Sequence, residues 1–217
     1  METATPVSRK APRPRADALR NRERIVTAAR EMFVEFGPEV PLDEVARRAG
    51  VGNATLYRNF PDRDALVREV VCSVMDRTAL AAEVALTETG DAFEALSRFV
   101  HTSADERVSA LCPMVQTAFD EHHPDLEASR ERLEELIEHV MRRAREAGQL
   151  RADVGVGDLM IAVSQLSRPP AGTRCARVDS FVHRHLQLFL DGLRAPAPSE
   201  LPGSPVTMED LRRPCPS

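Results

Sequence analysis

The stretch LDEVARRAGVGNATLYRNFPDRDAL, residues 42 to 66, decides the fold of this chain. Its first eight residues carry apolar side chains at helical spacing, namely Leu42, Val45, Ala46 and Ala49. Gly50 follows them, at the point where a helix ends and the chain bends sharply. A second helix is predicted over residues 53 to 59. Two short helices joined by a tight turn have the spacing of a helix-turn-helix.

The second predicted helix is too short to be stable alone, so its two sides must have different roles. On a helical wheel, Leu56 and the following Phe60 share one side and anchor the helix. The opposite side, centred on Arg58, carries no carboxylate. Base edges in the major groove accept hydrogen bonds from Arg, pair with Asn, and present the thymine methyl to Ala or Thr. We therefore predict DNA contacts from Asn53, Ala54, Thr55, Tyr57, Arg58 and Asn59.

The same stretch closely resembles the DNA-binding signature of the tetracycline-repressor (TetR) family. The matching residues are the ARRAGV turn, Thr55-Leu56-Tyr57, Phe60-Pro61, and Arg63, where the family usually has a lysine for a DNA phosphate. The resemblance covers about residues 20 to 70, and it implies an N-terminal three-helix head with Arg63 as a further DNA contact.

Some positions depart from the family pattern. Pro41 and Gly52 stand where Thr and Ser often cap the two helices, and glycine is an acceptable substitute. Asp43 and Glu44 place negative charge at the start of the first helix, where some relatives have basic or hydroxyl contacts. DNA contact is therefore not expected from those two positions.

The rest of the chain reads as further helices, and no segment shows the alternation typical of a strand. We predict an all-α protein of about nine helices, with a helix-turn-helix head and a C-terminal helical domain for ligand binding and dimerisation. The predicted divisions are a disordered basic arm over 1–16, the DNA-binding domain over 17–77, the ligand-binding and dimerisation domain over 78–194, and a disordered proline-rich tail over 195–217.

The charge is distributed unevenly along the 217 residues. The net charge is -5, yet residues 1–30 hold eight basic and three acidic side chains, which leaves about -10 for the remainder. The basic end fits a phosphate-binding surface or, equally, a solvated disordered arm. No apolar run is long enough to cross a bilayer and no secretory signal is visible, so we predict a cytoplasmic protein with no membrane partner.

The C-terminal part offers two sets of candidate residues. The family resemblance implies a ligand pocket lined by helices that carry Phe93, Leu96, Phe99, Met114, Phe119, Ile137 and Met141, although such residues also serve as ordinary core. Two strongly apolar helices predict a homodimer interface that includes Leu159, Met160, Val163, Phe181, Val182, Leu188 and Phe189. The alternative for these helices is packing within a single chain.

These features predict a sequence-specific transcriptional regulator, a repressor that a small-molecule inducer releases from a palindromic operator. The alternatives are a helical protein-interaction module and a non-repressing regulator with altered DNA binding. An enzyme is not expected, because the chain has no GxSxG, HExxH or phosphate-binding glycine loop. We predict no cofactor and no metal: the four cysteines have no metal-binding spacing, and the DEHHPD segment at 120–125 has no second ligand cluster.

Overall fold

The structure is a computed structural model that describes residues 14–37, 39–106, 123–167 and 178–212. The described residues form α-helices and contain no β-strand, which confirms the all-α prediction. They belong to two compact units that divide between Leu66 and Val67. We call the unit up to Leu66 the head and the unit from Val67 the body. The predicted division between residues 77 and 78 stays a prediction.

The helices are numbered in chain order through the described residues. The head contains α1 (Pro14–Phe36), α2 (Leu42–Ala49), α3 (Asn53–Asn59) and the first residues of α4 (Arg63–Thr87). The body contains the rest of α4, α5 (Ala92–Asp105), α6 (Pro124–Glu146), α7 (Val156–Leu166), α8 (Val178–Leu193) and α9 (Met208–Arg212). The structure gives α2 and α3 the bounds that the sequence predicted.

The core of the head is built by one stripe of α1 packed against α2 and α3. The buried residues of that stripe are Ile25, Ala28, Ala29, Met32 and Phe33. Phe36 continues the same periodicity in the sequence, but its side chain is 60% exposed. The helix ends at Phe36, and Gly37 takes a positive φ of 87°. The apolar face of α1 therefore does not extend beyond Phe36.

In the body, α5 packs against α6, α7 and α8, and its apolar face fills the centre of the unit. The Asp91 side chain caps α5 by accepting hydrogen bonds from the amides of Phe93 and Glu94. In α6 the first helical residue is Pro124, acidic residues lie in the first turn and Arg143 and Arg145 in the last. This charge order complements the helix dipole.

A pair of histidines adds a polar link between α5 and α8. The Nδ1 atoms of His101 and His183 lie 2.9 Å apart, and His183 Nε2 lies 2.9 Å from Asp105 Oδ1. His101 Nε2 lies 3.2 Å from Gln187 Oε1, so both rings are hydrogen bonded at both nitrogens. His183 therefore serves an internal contact, whereas His185 is exposed and bonds only the carbonyl of Phe181 on its own helix.

The expectation of a disordered tail from residue 195 onwards is wrong for residues 195–212. Backbone groups of this segment bond the body at several points: Ser199 O accepts from Arg151, Leu201 N donates to Asp153, and Val206 bonds both Gly157 N and the Asp158 carboxylate. Met208, at the start of α9, packs against the core. These are long-range backbone contacts, which the proline-rich composition of the segment does not reveal. We call residues 195–212 the strap.

Two glycines make room for the strap at the start of α7. A Cβ atom on Gly155 would lie 2.3 Å from Val206 O, and one on Gly157 would lie 2.6 Å from the same oxygen. Such distances are shorter than real contacts allow, so only glycine permits the backbones to approach this closely.

No helix in the described ranges combines the length and the apolar character that spanning a bilayer requires. Cys72 is a free thiol, and its partial burial raises its pKa above the ordinary value. The other three cysteines lie outside the described residues.

Replacing Gly157 by alanine tests whether the strap is a stabilising element. We expect Gly157→Ala to lower the free energy of unfolding by about 1 to 3 kcal/mol, because the added methyl group displaces Val206. Gly192→Ala in α8 is the matched control: its Cβ meets open space, so a gain of about 0.5 to 1 kcal/mol is expected. Urea denaturation measures the free energy of unfolding of both variants. A gain in stability in both would contradict the close packing of the strap against the start of α7.

Candidate nucleic-acid interface

The turn between α2 and α3 is fixed by the left-handed conformation of Gly50, with φ 63° and ψ 39°. The Gly50 amide donates to Arg47 O at 3.1 Å, and the Val51 amide donates to Ala46 O at 3.0 Å. These bonds satisfy carbonyl groups that the end of α2 would otherwise leave unpaired. Helix α3 then begins after Gly52, whose carbonyl accepts from the amides of Thr55 and Leu56. The two helices are thereby joined through a compact connection of three residues.

Helix α3 has one buried side and one exposed side. Leu56 is fully buried and Phe60, which follows the helix, is 1% exposed, so the two predicted anchors do hold the helix in the head. Tyr57 is 52% exposed, and Asn53, Ala54 and Arg58 are exposed as well. The exposed side therefore carries hydrogen-bond donors, a methyl group and a phenol, and no carboxylate.

Several polar side chains on α3 are held by the helix itself. The Arg58 guanidinium donates to Ala54 O at 3.1 Å and to the Thr55 hydroxyl at 3.1 Å. The Asn59 side-chain amide donates to Thr55 O at 2.7 Å, and Thr55 and Asn59 are half-buried. Arg58 thus lies along the exposed face in a defined position, whereas the Asn59 amide is directed back to the backbone.

Charged side chains at the start of α4 and on α2 make local hydrogen bonds. Asp62 accepts from the Ala65 amide at 2.8 Å and so caps α4, next to the half-buried Arg63. Glu44 is paired with Arg47 on α2, and this hydrogen bond raises the pKa of the Arg47 guanidinium above its ordinary value. The acidic Glu44 is thus neutralised within its own helix.

The predicted pocket residues occupy the core of the body. Phe93, Leu96, Phe99, Ile137 and Met141 are all buried in one apolar cluster formed by α5 and α6 with their neighbours. Met114 and Phe119 lie outside the described residues. A ligand pocket and an ordinary hydrophobic core would both place these residues in the buried cluster. The ligand-binding assignment therefore stays a prediction.

The predicted interface residues divide into two groups. Leu159 is 1% exposed and Val163 is 5% exposed, so a single chain already buries both, and they leave the set of interface candidates. Met160, Val182 and Phe189 are half-buried, whereas Phe181 is 44% exposed and Leu188 is 60% exposed. Ile161 on α7, which the sequence did not single out, is 41% exposed. Helical periodicity identified the apolar helices but could not tell which of their faces the chain covers.

A helix-turn-helix whose second helix is anchored by apolar residues and exposes a carboxylate-free polar face is the DNA-binding unit of a class of transcription regulators. Residues 25–70 match the family model described as bacterial regulatory proteins of the tetR family, and residues 88–195 match the C-terminal domain of SbtR-like transcriptional regulators. The chain belongs to the TetR family of transcription regulators. Members of this family are DNA-binding transcription regulators and not enzymes.

Solved structures agree with this assignment over most of the chain. The TetR transcriptional regulator SCO0520 from Streptomyces coelicolor is 28% identical, with 81% of this chain and 99% of that chain covered and a TM-score of 0.62. The TetR regulatory protein from Mycobacterium vanbaalenii is 32% identical, with 83% and 99% covered and a TM-score of 0.58. LfrR from Mycobacterium smegmatis, solved in complex with proflavine, has the same fold at 22% identity, with 79% and 96% covered and a TM-score of 0.58.

A curated relative matches over only a part of the chain. An HTH-type transcriptional regulator of Staphylococcus aureus is 40% identical over 58 residues, which is 26% of this chain. The chain spans 31% of the length of that relative.

The turn glycines provide a test of the head. We expect Gly50→Ala to lower the free energy of unfolding by about 1 to 2 kcal/mol, because an L-residue is strained at φ 63° and its Cβ would lie 2.6 Å from Arg24. Gly52→Ser has open space and a cap position, so we expect a change of only a few tenths of a kcal/mol, in the stabilising direction. Thermal or urea unfolding compares the two, and equal stability of both variants would show that the left-handed turn is not required.

Proposed function

We propose that the protein is a homodimeric repressor that binds a palindromic operator through α3 and releases it when a small molecule binds the body. It would act in the cytoplasm, where the DNA lies. The observation that carries the proposal is the exposed face of α3, which offers Arg58, Asn53 and the Ala54 methyl group and has no carboxylate. The alternatives, a protein-interaction module or a regulator with altered DNA binding, remain outcomes of the tests below.

The proposal assigns different tasks to different residues of the interface. Arg58 matches the acceptors on the guanine edge, and Ala54 and Thr55 match the thymine methyl group. Tyr57 and Arg63 are better suited to phosphates, where they set the register of the head on the duplex without reading sequence. Selection of bound sequences from random DNA by the full chain is the direct test of sequence-specific binding. Recovery of no preferred sequence would reject the proposal.

The roles of Arg58 and Arg63 separate in a binding experiment. Arg58→Ala should cost about 1 to 3 kcal/mol on the selected sequence and relax the preference at one position in each half-site. Arg63→Ala should weaken selected and random DNA alike and reduce the salt dependence of binding by the contribution of about one phosphate contact. Titrations of both variants on both DNAs at several salt concentrations give these quantities. Identical losses in the two variants would contradict the assignment.

Dimerisation is proposed because α7 and α8 carry apolar side chains that one chain leaves exposed. Phe181 and Leu188, seven residues apart on α8, and Ile161 on α7 are the exposed apolar side chains on which the proposal rests. A two-fold dimer would cover them, and it would present two copies of α3 to two half-sites about one helical turn of DNA apart.

Charge introduced on α8 tests the proposed interface. Leu188→Glu should yield monomers that keep a folded head but lose operator affinity, because the charged side chain would have to be desolvated in the interface. Leu80→Glu on α4, where the wild-type leucine is 58% exposed, is the matched control and should leave the assembly unchanged. Sedimentation velocity measures both variants. An unchanged dimer in Leu188→Glu would move the interface elsewhere.

The proposed ligand site is the buried aromatic and aliphatic cluster of α5 and α6. Phe93, Phe99 and Met141 give it the apolar surface typical of small-molecule sites. LfrR, with proflavine bound, provides a precedent for a small molecule on this fold. A ligand would act as an inducer only if it bound the DNA-free state more tightly than the DNA-bound state.

Thermodynamic linkage makes the inducer proposal testable. A hundredfold loss of operator affinity corresponds to about 2.7 kcal/mol, which is within the ordinary range of coupling between sites. Operator DNA must then weaken the ligand by the same factor. Calorimetric titration of a compound obtained by thermal-shift screening, against free and operator-bound protein, measures both sides of this relation. Equal ligand affinities in the two titrations would show that the compound is not an inducer.

A further inference from the structure

The carboxyl end of α3 is held from outside the helix by an arginine of α1. Phe60, the residue after α3, is extended, with φ -136° and ψ 103°, so the helix cannot continue to satisfy its last carbonyl groups. The Phe60 amide bonds Leu56 O at 2.8 Å. The carbonyl of Asn59, the last residue of α3, accepts a hydrogen bond of 3.3 Å from Arg22 Nη1.

Arg22 also contacts the anchor of the same helix. Its guanidinium carbon lies 4.5 Å from the centroid of the Phe60 ring, and Phe60 is almost completely buried. One guanidinium therefore lies over the ring and also bonds the carbonyl at the end of α3. A guanidinium can make both contacts at once, because its donors lie in the plane and its faces are free to stack.

The arginine two residues further along α1 makes a related contact with the turn. Arg24 Nη2 donates to Gly50 O at 3.0 Å, between α2 and α3. Arg24 is exposed, whereas Arg22 is half-buried. Arg22 is thus the arginine that contacts both the last residue of α3 and the ring of Phe60.

We propose that Arg22 is a positioning residue for DNA recognition, which sets the angle of α3 through Phe60 and the Asn59 carbonyl. This inference rests on the proposed function of α3 as the helix that reads DNA. It assigns Arg22 a different role from that of a phosphate contact, although its charge belongs to the basic N-terminal segment. A helix of seven residues has little rigidity of its own, so the position of its reading face depends on such external contacts.

The two roles predict opposite results for Arg22→Lys. Lysine keeps the positive charge, so a phosphate contact and the salt dependence of binding would survive the change. An ammonium group has no planar face and edge, so it cannot cover Phe60 and bond the Asn59 carbonyl in the same way. If Arg22 positions α3, Arg22→Lys should reduce the ratio of affinities for selected and random DNA by about tenfold, with an unchanged salt slope.

A partner variant and a control define the experiment. In a Phe60→Leu background the ring is absent, so Arg22→Lys should cause a much smaller further loss of the affinity ratio, which is the signature of coupling between contacting residues. Arg20→Gln removes a charge from the same helix at an exposed position paired with Asp17. It should leave the affinity ratio unchanged whether or not Arg20 lies near a phosphate. A general loss of folding stability would not change the ratio at temperatures where the head is folded.

Hydrogen exchange without DNA separates this inference from the proposed function. In the free full-length protein, Arg22→Lys should speed amide exchange at residues 53–60 by about tenfold relative to residues 42–49, and Arg20→Gln should not. If the wild-type protein selects no DNA sequence, the proposed function fails, and the exchange rates alone decide whether Arg22 holds α3. Unchanged exchange at residues 53–60, or equal loss on both DNAs with a reduced salt slope, would overturn the positioning role.

Discussion

The carbonyl groups at the carboxyl ends of helices are the constraint on which this structure depends, and arginines satisfy many of them. Arg22 bonds the end of α3 and Arg24 the turn after α2. In the body, Arg143 donates to the carbonyls of Ala85 and Leu86 near the end of α4, and Arg151 donates to Gly192 O near the end of α8. Each guanidinium adds a favourable charge at the negative end of a helix dipole and at least one hydrogen bond that the helix cannot supply. These bonds pair carbonyl groups that the helix ends themselves leave without intrahelical partners.

This use of arginine changes the interpretation of the basic N-terminal segment. Its positive charge fits a surface for phosphates, yet part of that charge is engaged inside the head by carbonyl groups and by the ring of Phe60. Charge alone attracts DNA at a distance, whereas the direction of a guanidinium decides what it binds at contact. Arg58 illustrates the same point on α3, because its bonds to Ala54 O and the Thr55 hydroxyl define its position in the protein without DNA.

The head was predictable from sequence because its signals are local. Gly50 ends α2, Phe60-Pro61 ends α3, and the apolar spacing between them fixes which side chains are buried, so the predicted and observed bounds coincide. Contacts between distant residues could not be predicted in this way. Phe36 continues the apolar periodicity of α1 but is 60% exposed, whereas Leu159 and Val163 are buried within their own chain. Periodicity identifies an apolar face, but only the tertiary arrangement determines what covers it. The DNA, ligand and interface residues remain predictions for the same reason, since each depends on a partner outside the chain.

The strap shows most clearly how such distant contacts arise. Arg151 is 6% exposed and joins three segments, because it pairs with Asp153 and donates to Gly192 O and to Ser199 O in the strap. Its bond to Asp153 holds the pKa of that carboxyl far below its usual range, so the pair is charged at neutral pH. Because the folded-state pKa is lowered, this contribution is complete above the unfolded pKa near 4 and is lost only as the pH falls towards the folded pKa. At neutral pH the start of α7, the end of α8 and the strap are therefore held as one arrangement. The two helices that we propose for dimerisation thus depend on a segment that, by composition alone, resembles a linker.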